Sequence, residues 1–84
     1  MNRDEVISVL KRDNPGAGMD LVCMYADCFL DYREAADNIA KNGNIVAHPR
    51  TGSPIDNPYI KVKAAAMTQL RKMARLKKVE ALWL

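Results

Sequence analysis

Acidic residues almost disappear from the second half of this 84-residue chain. Residues 43–84 hold eight lysines and arginines against only Asp56 and Glu80, a net +6, whereas residues 1–42 hold five basic residues against eight acidic ones, a net −3. That imbalance points to a polyanionic partner. Surface lysines also serve solubility, so charge alone leaves both readings open. Long apolar runs are missing too, and none approaches the roughly 20 residues a membrane-spanning helix needs. The opening MNRDEVISVLKRDNPG has neither a long apolar core nor a small-residue cleavage site, so no signal peptide is expected and the cytoplasm is the expected location. Cysteine is limited to Cys23 and Cys28. On a helix they stand about 140° apart, which suits neither a disulfide nor a shared metal, and both read as small reduced core residues. With His48 the only histidine, a zinc site lacks ligands. No glycine-rich phosphate loop or paired-carboxylate site is visible, and His48 has no base or nucleophile beside it. Asp27 and Asp31, one turn apart, read as a wet helix face. The chain is expected to be no enzyme and to need no cofactor or metal.

What is present describes one small helical domain spanning residues 1–84. Hydrophobic content of 49% with 27% charged residues is that of a globular chain. A chain this short buries only about 60% of its unfolded surface, so its core is marginal and association is a common remedy.

Periodicity gives three helices. The first covers residues 3–13 within a segment 1–14, with Asn2 and Glu5 forming a capping box and Met1 in position to staple onto Val6. Asn14-Pro15-Gly16-Ala17-Gly18 makes a corner. The second runs over 20–42, ended by Gly43 as a left-handed C′ residue. It carries two apolar stripes: Leu21, Tyr25, Cys28, Tyr32, Ala35 and Ile39, and beside them Val22, Ala26, Phe29, Ala36 and Ala40. Two stripes need two covering surfaces. The third helix is expected to cover one and another subunit the other, which makes Leu21, Val22, Tyr25, Phe29 and Tyr32 candidate oligomer-interface residues. Base stacking by these aromatics is the weaker alternative to core packing, because they fall at helical spacing.

The third helix spans 58–80, with Asn57 as N-cap and Pro58 at the first helical position. Tyr59, Val62, Ala66, Met67, Leu70, Met73 and Ala74 make its buried face. Lys61, Arg71, Lys72, Arg75 and Lys78 fall on the opposite arc, and residues 58–78 hold seven basic residues and no acid. Between the long helices, Asn44–His48 alternates weakly before a turn at Arg50-Thr51-Gly52-Ser53. A small β-hairpin fits there, confined to an edge by Pro49 and Pro54. The fold class is all-α: an antiparallel hairpin of two long helices with a short N-terminal helix and an extended loop or β-hairpin between them.

The basic arc, with Arg50 at the loop tip, reads either as a solvated face or as a contact for DNA phosphates, where Lys and Arg release counterions. The closing Leu82-Trp83-Leu84 is too apolar to be left in water. It reads as a partner surface, or as a tail with Trp83 docked on the chain's own helices.

Tyr32-Arg33-Glu34-Ala35, Ile39, Gly43, Gly52, Asn57-Pro58, Lys61-Val62 and Ala65, in that order and spacing, resemble the small subunit of phage terminase, over about residues 20–80. The chain departs from that family in a slight N-terminal segment where many relatives carry a longer DNA-binding extension. The resemblance implies a helical subunit of a ring of roughly eight to twelve copies, in the host cytoplasm. Such a ring binds double-stranded viral DNA and delivers it to the large terminase subunit, which carries the ATPase and nuclease. A small dimeric helical DNA-binding regulator, and a helical assembly module with no nucleic-acid role, stay open beside it.

Overall fold

The structure, a computed structural model, describes residues 1–83. Its elements are α1 (Arg3–Asp13), α2 (Met19–Asn42), β1 (Ile45–Ala47), β2 (Pro54–Asp56), α3 (Tyr59–Lys72) and α4 (Glu80–Trp83). The molecule is elongated, 50 × 22 × 20 Å with a radius of gyration of 15.2 Å. A compact domain of this length would have about 12 Å.

The capping box opens α1 as the sequence predicts: Glu5 N–H donates to Asn2 Oδ1 at 2.8 Å, and Asn2 N–H to Glu5 Oε1 at 3.3 Å. Met1 stays 64% exposed and makes no staple. Val6 and Leu10 are fully buried as α1 folds back on α2, and Arg3 Nε reaches Asp27 Oδ1 at 2.8 Å. Gly43 ends α2 by a different device from the left-handed cap expected. Its φ of 82° and ψ of 177° lie in an extended region open essentially to glycine alone, and its N–H still closes on Ile39 O at 2.8 Å. The chain thereby leaves the helix already extended for β1.

β1 and β2 pair antiparallel in the register Ile45↔Asp56, Val46↔Ile55, Ala47↔Pro54. Asn57 N–H bonds Asn44 O and His48 N–H bonds Ser53 O, so by alternation Pro54 sits where the backbone nitrogen points away from the partner. Its missing N–H therefore costs no ladder bond.

α3 begins where Asn57-Pro58 predicts. Pro58 is already helical (φ −56°, ψ −25°), and Asn57 Oδ1 accepts Tyr59 N–H at 3.0 Å. Asn57 is the one buried polar residue among the described residues, 2% exposed. Its Nδ2 donates to Asn38 Oδ1 and to Gly43 O, both at 2.9 Å, so one side chain joins the end of α2 to the start of α3. From there α3 returns along α2: the Lys63 ammonium stands 5.8 Å over the Tyr32 ring, and Leu70 enters the cluster of Tyr25 and Phe29.

The third helix is shorter than predicted. It ends at Lys72, about 21 Å long against about 36 Å for α2, and Met73 (φ −92°, ψ 44°) turns the chain out of the helix. Asn14 fixes the segment that follows, its Nδ2 donating to Lys78 O at 2.8 Å and its Oδ1 accepting Lys78 N–H at 3.1 Å. The break changes the phase, so Leu76, which a continuous helix would turn outward, is 4% exposed. α4 then lays Trp83 edge-on against Phe29 (centroids 4.8 Å apart) and Tyr32 (5.3 Å).

The first half of the second apolar stripe of α2 is thus covered by the chain's own α1 and C-terminal segment, not by a neighbouring subunit. Val22 and Ala26 are fully buried and Phe29 is 1% exposed, while farther along Ala36 is half-buried and Ala40 exposed.

Candidate nucleic-acid interface

The cations of the second half form two groups, because the helix expected to carry them in one arc breaks. Arg71 and Lys72 occupy the last turn of α3, where positive charge also suits the helix dipole. Arg75, Lys77 and Lys78 follow in the turn segment. Met73 and Leu76 point inward there, which leaves the intervening side chains outside; all five cations are exposed. None of them forms an ion pair among the described residues. Lys78 lies near Asp13, whose carboxyl is held below its ordinary value chiefly by the Arg12 hydrogen bond, with burial opposing and Lys78 adding a smaller pull.

Lys61 belongs to a separate place. It is exposed in the first turn of α3, about 15 Å along the axis from Arg71. Lys63 is half-buried over the Tyr32 ring and turns away from the exposed face. Arg50 stands at the tip of the hairpin, where His48 Nδ1 accepts the N–H groups of Arg50 (3.1 Å) and Thr51 (3.4 Å). Gly52, at φ 73°, lets its N–H return to His48 O at 2.9 Å. His48 therefore serves as the internal cap of a turn. The structure brings Arg71, Lys72, Arg75 and Lys78 together and leaves Lys61 and Arg50 at the other end. Lys77 joins the first group although a continuous helix would set it off the arc; only the break at Met73 reveals it.

Of the interface candidates on α2, Val22, Tyr25 and Phe29 are buried within the single chain, while Leu21 and Tyr32 are half-buried. Of the tail residues, Leu82 is 3% exposed in the chain's own core. Trp83 keeps 40% of its surface open while its Nε1 donates to the Tyr25 hydroxyl at 3.1 Å. Burial pushes the Tyr25 phenol above its ordinary pKa, an effect that the Trp83 bond partly offsets. Leu84 lies outside the described residues.

A groove of about 450 Å³ between Arg33, Glu34, Asp37, Asn38, Lys41 and Tyr59 carries both signs of charge, which gives it no preference for an anion or a cation. Among the described residues no group of three or more His, Cys, Asp or Glu side chains is placed to hold a metal ion. No helix among them is long and apolar enough to cross a membrane.

Comparison with curated proteins and with solved structures gives no match. The family model described as "Phage terminase, small subunit" matches residues 3–76, which takes in α1, α2, the hairpin, α3 and most of the cationic segment. The chain belongs to the phage terminase small-subunit family.

Proposed function

We propose that this protein is a non-catalytic subunit that binds double-stranded viral DNA as an oligomeric ring of about eight to twelve copies and presents it to the large terminase subunit for packaging. The observation that carries the reading is the cationic segment at the end of α3. Arg71, Lys72, Arg75, Lys77 and Lys78 fall within eight residues, all exposed and none neutralised by an ion pair among the described residues. Such a segment recognises phosphates through charge, without reading sequence. One copy offers too few contacts for tight binding, and repetition around an assembly multiplies them. The exposed edge of Trp83 is the part of the tail left to meet the large subunit.

The test is the salt dependence of binding to duplex DNA. Neutralising about six phosphates gives a slope of log affinity against log salt near −5. Arg71→Gln with Arg75→Gln flattens that slope without changing helicity, since neither side chain is buried. A slope unaffected by these substitutions refutes the assignment.

A further inference from the structure

Two straight ribbons of opposite charge run along the outer faces of α2 and α3. At 100° per residue, Asp20, Asp27, Asp31 and Glu34 fall within about 60° of one another and cover about 21 Å of the α2 axis. Met24, 57% exposed, lies in the same strip, and Asp27 alone is paired, with Arg3. On α3, Lys61, Ala65, Thr68 and Lys72 fall within about 60° and cover about 17 Å. Ile60 (37% exposed) and Val62 (41%) flank them, and the helix contains no acid.

The ribbons cannot meet within one chain. α2 packs through Tyr25 and Phe29, and α3 through Ala66 and Leu70, and each ribbon lies on the side opposite those residues. Two outward faces of matching length and opposite charge on the same molecule are complementary between copies.

We infer that the acidic ribbon of α2 in one copy docks on the lysine ribbon of α3 in the next, with Met24 placed on its small apolar middle. This rests on the oligomer proposed above and names the two faces that build it. A contact using two different faces is heterologous, the kind that closes into a ring when the rotation fits. The small side chains of Ala64 and Ala65 let the helices approach, and the charges fix partner and register more than affinity. Lys61 and Lys72 are taken up in this contact, so in the assembled protein the cationic segment meets DNA through its other four members, Arg71, Arg75, Lys77 and Lys78.

The experiment is mass measurement by light scattering on the full chain and two reversed variants, Asp20→Lys with Asp31→Lys and Glu34→Lys, and Lys61→Glu with Lys72→Glu, Asp27 being left to its pair with Arg3. Each variant alone sets like charge against like and loses the assembled species at a concentration where the unaltered protein is assembled. Mixed in equal amounts, the two regain it, because alternating copies restore opposite charge at every contact. The neutral pair Asp31→Asn with Glu34→Gln weakens assembly in the same direction, so the outcome does not depend on one reversed variant folding. An unaltered protein that is monomeric at every concentration overturns the ring itself. An assembled protein whose reversed variants also assemble, or whose mixture stays dispersed, overturns only this pairing of faces.

Discussion

The two ends of the molecule are held together by different forces. At one end, α1, the first half of α2, the last turn of α3, the turn segment and α4 bury ten apolar residues in one cluster, including Val6, Leu10, Phe29, Leu76 and Leu82. At the other end only Ala35, Ala66 and Asn57 are buried, and Ile45 is 57% exposed. Apolar burial is non-directional and scales with area, so the packed end supplies most of the free energy of folding. A satisfied polar side chain contributes less but is directional. Asn57, bonded to Asn38, Gly43 and Tyr59, sets where the returning helix begins and hence its register on α2. The packed end provides stability and the distal end provides alignment.

The largest test of this division is Phe29→Ala at the packed end. Removing a ring that is 1% exposed and carries the Trp83 edge should cost about 3–5 kcal/mol. That is a large part of the roughly 5–15 kcal/mol available to a domain, so thermal melting should lose its cooperativity or fall by tens of degrees. Asn57→Ala should cost less, about 2–3 kcal/mol, from a lost cap and lost buried bonds. Its effect should also be local: hydrogen exchange should quicken over residues 44–57 and the first turn of α3 while the α1 amides keep their protection. Asn57→Asp retains the acceptor for Tyr59 but loses both donations and buries a charge, so it should not rescue. A stable Asn57→Asp would show that the distal end is held by something else.

Much of this was legible in the residues, and the limits were physical. Caps are local chemistry, so Asn2 with Glu5, and Asn57 with Pro58, placed the starts of α1 and α3 correctly. The hairpin followed from alternation and from turn residues around Gly52. The end of α3 was not legible. Nothing between Met73 and Val79 breaks a helix by propensity, and the break accompanies the clamp by Asn14 on Lys78, 64 residues away. Because the phase changes there, helical periodicity places Leu76 on no face and sets Lys77 off the arc. The same non-local fold explains why the sequence leads to a neighbouring subunit as the cover for one of the two stripes of α2. The apolar count of α2 is visible in sequence, but the return of α4 to cover it is not. Of the candidate site, residue type and exposure were legible, and the grouping of the cations was not.

Asn14→Ala tests the clamp with a smaller effect, about 1 kcal/mol for each net hydrogen bond lost. Trp83 should report it directly, since a loosened segment 73–83 withdraws the indole from Phe29 and Tyr25. Its emission should shift to the red and its quenching rise. Unchanged fluorescence would mean that apolar contact alone seats the tail.

The smallest effect belongs to Asp13, at the junction of α1 with that clamp. Its carboxyl is held below the ordinary value of 3.8 by the hydrogen bond and charge of Arg12, and more weakly by the charge of Lys78, with burial opposing. For a carboxylate lowered in the folded state, the linked stability is present above the unfolded pKa and is lost as pH falls through the folded one. The window therefore opens near 3.8 and closes below it. Arg12→Ala should move the Asp13 titration, followed by NMR of its side-chain carboxyl, upward toward the ordinary value. Asn14→Ala should produce a smaller upward shift although Asn14 is uncharged, because the clamp fixes the backbone of Lys78 beside the end of α1. If Asn14→Ala leaves the Asp13 titration in place, the turn segment holds its position by packing on Leu76 and Leu82 alone, and the polar clamp follows the fold without directing it.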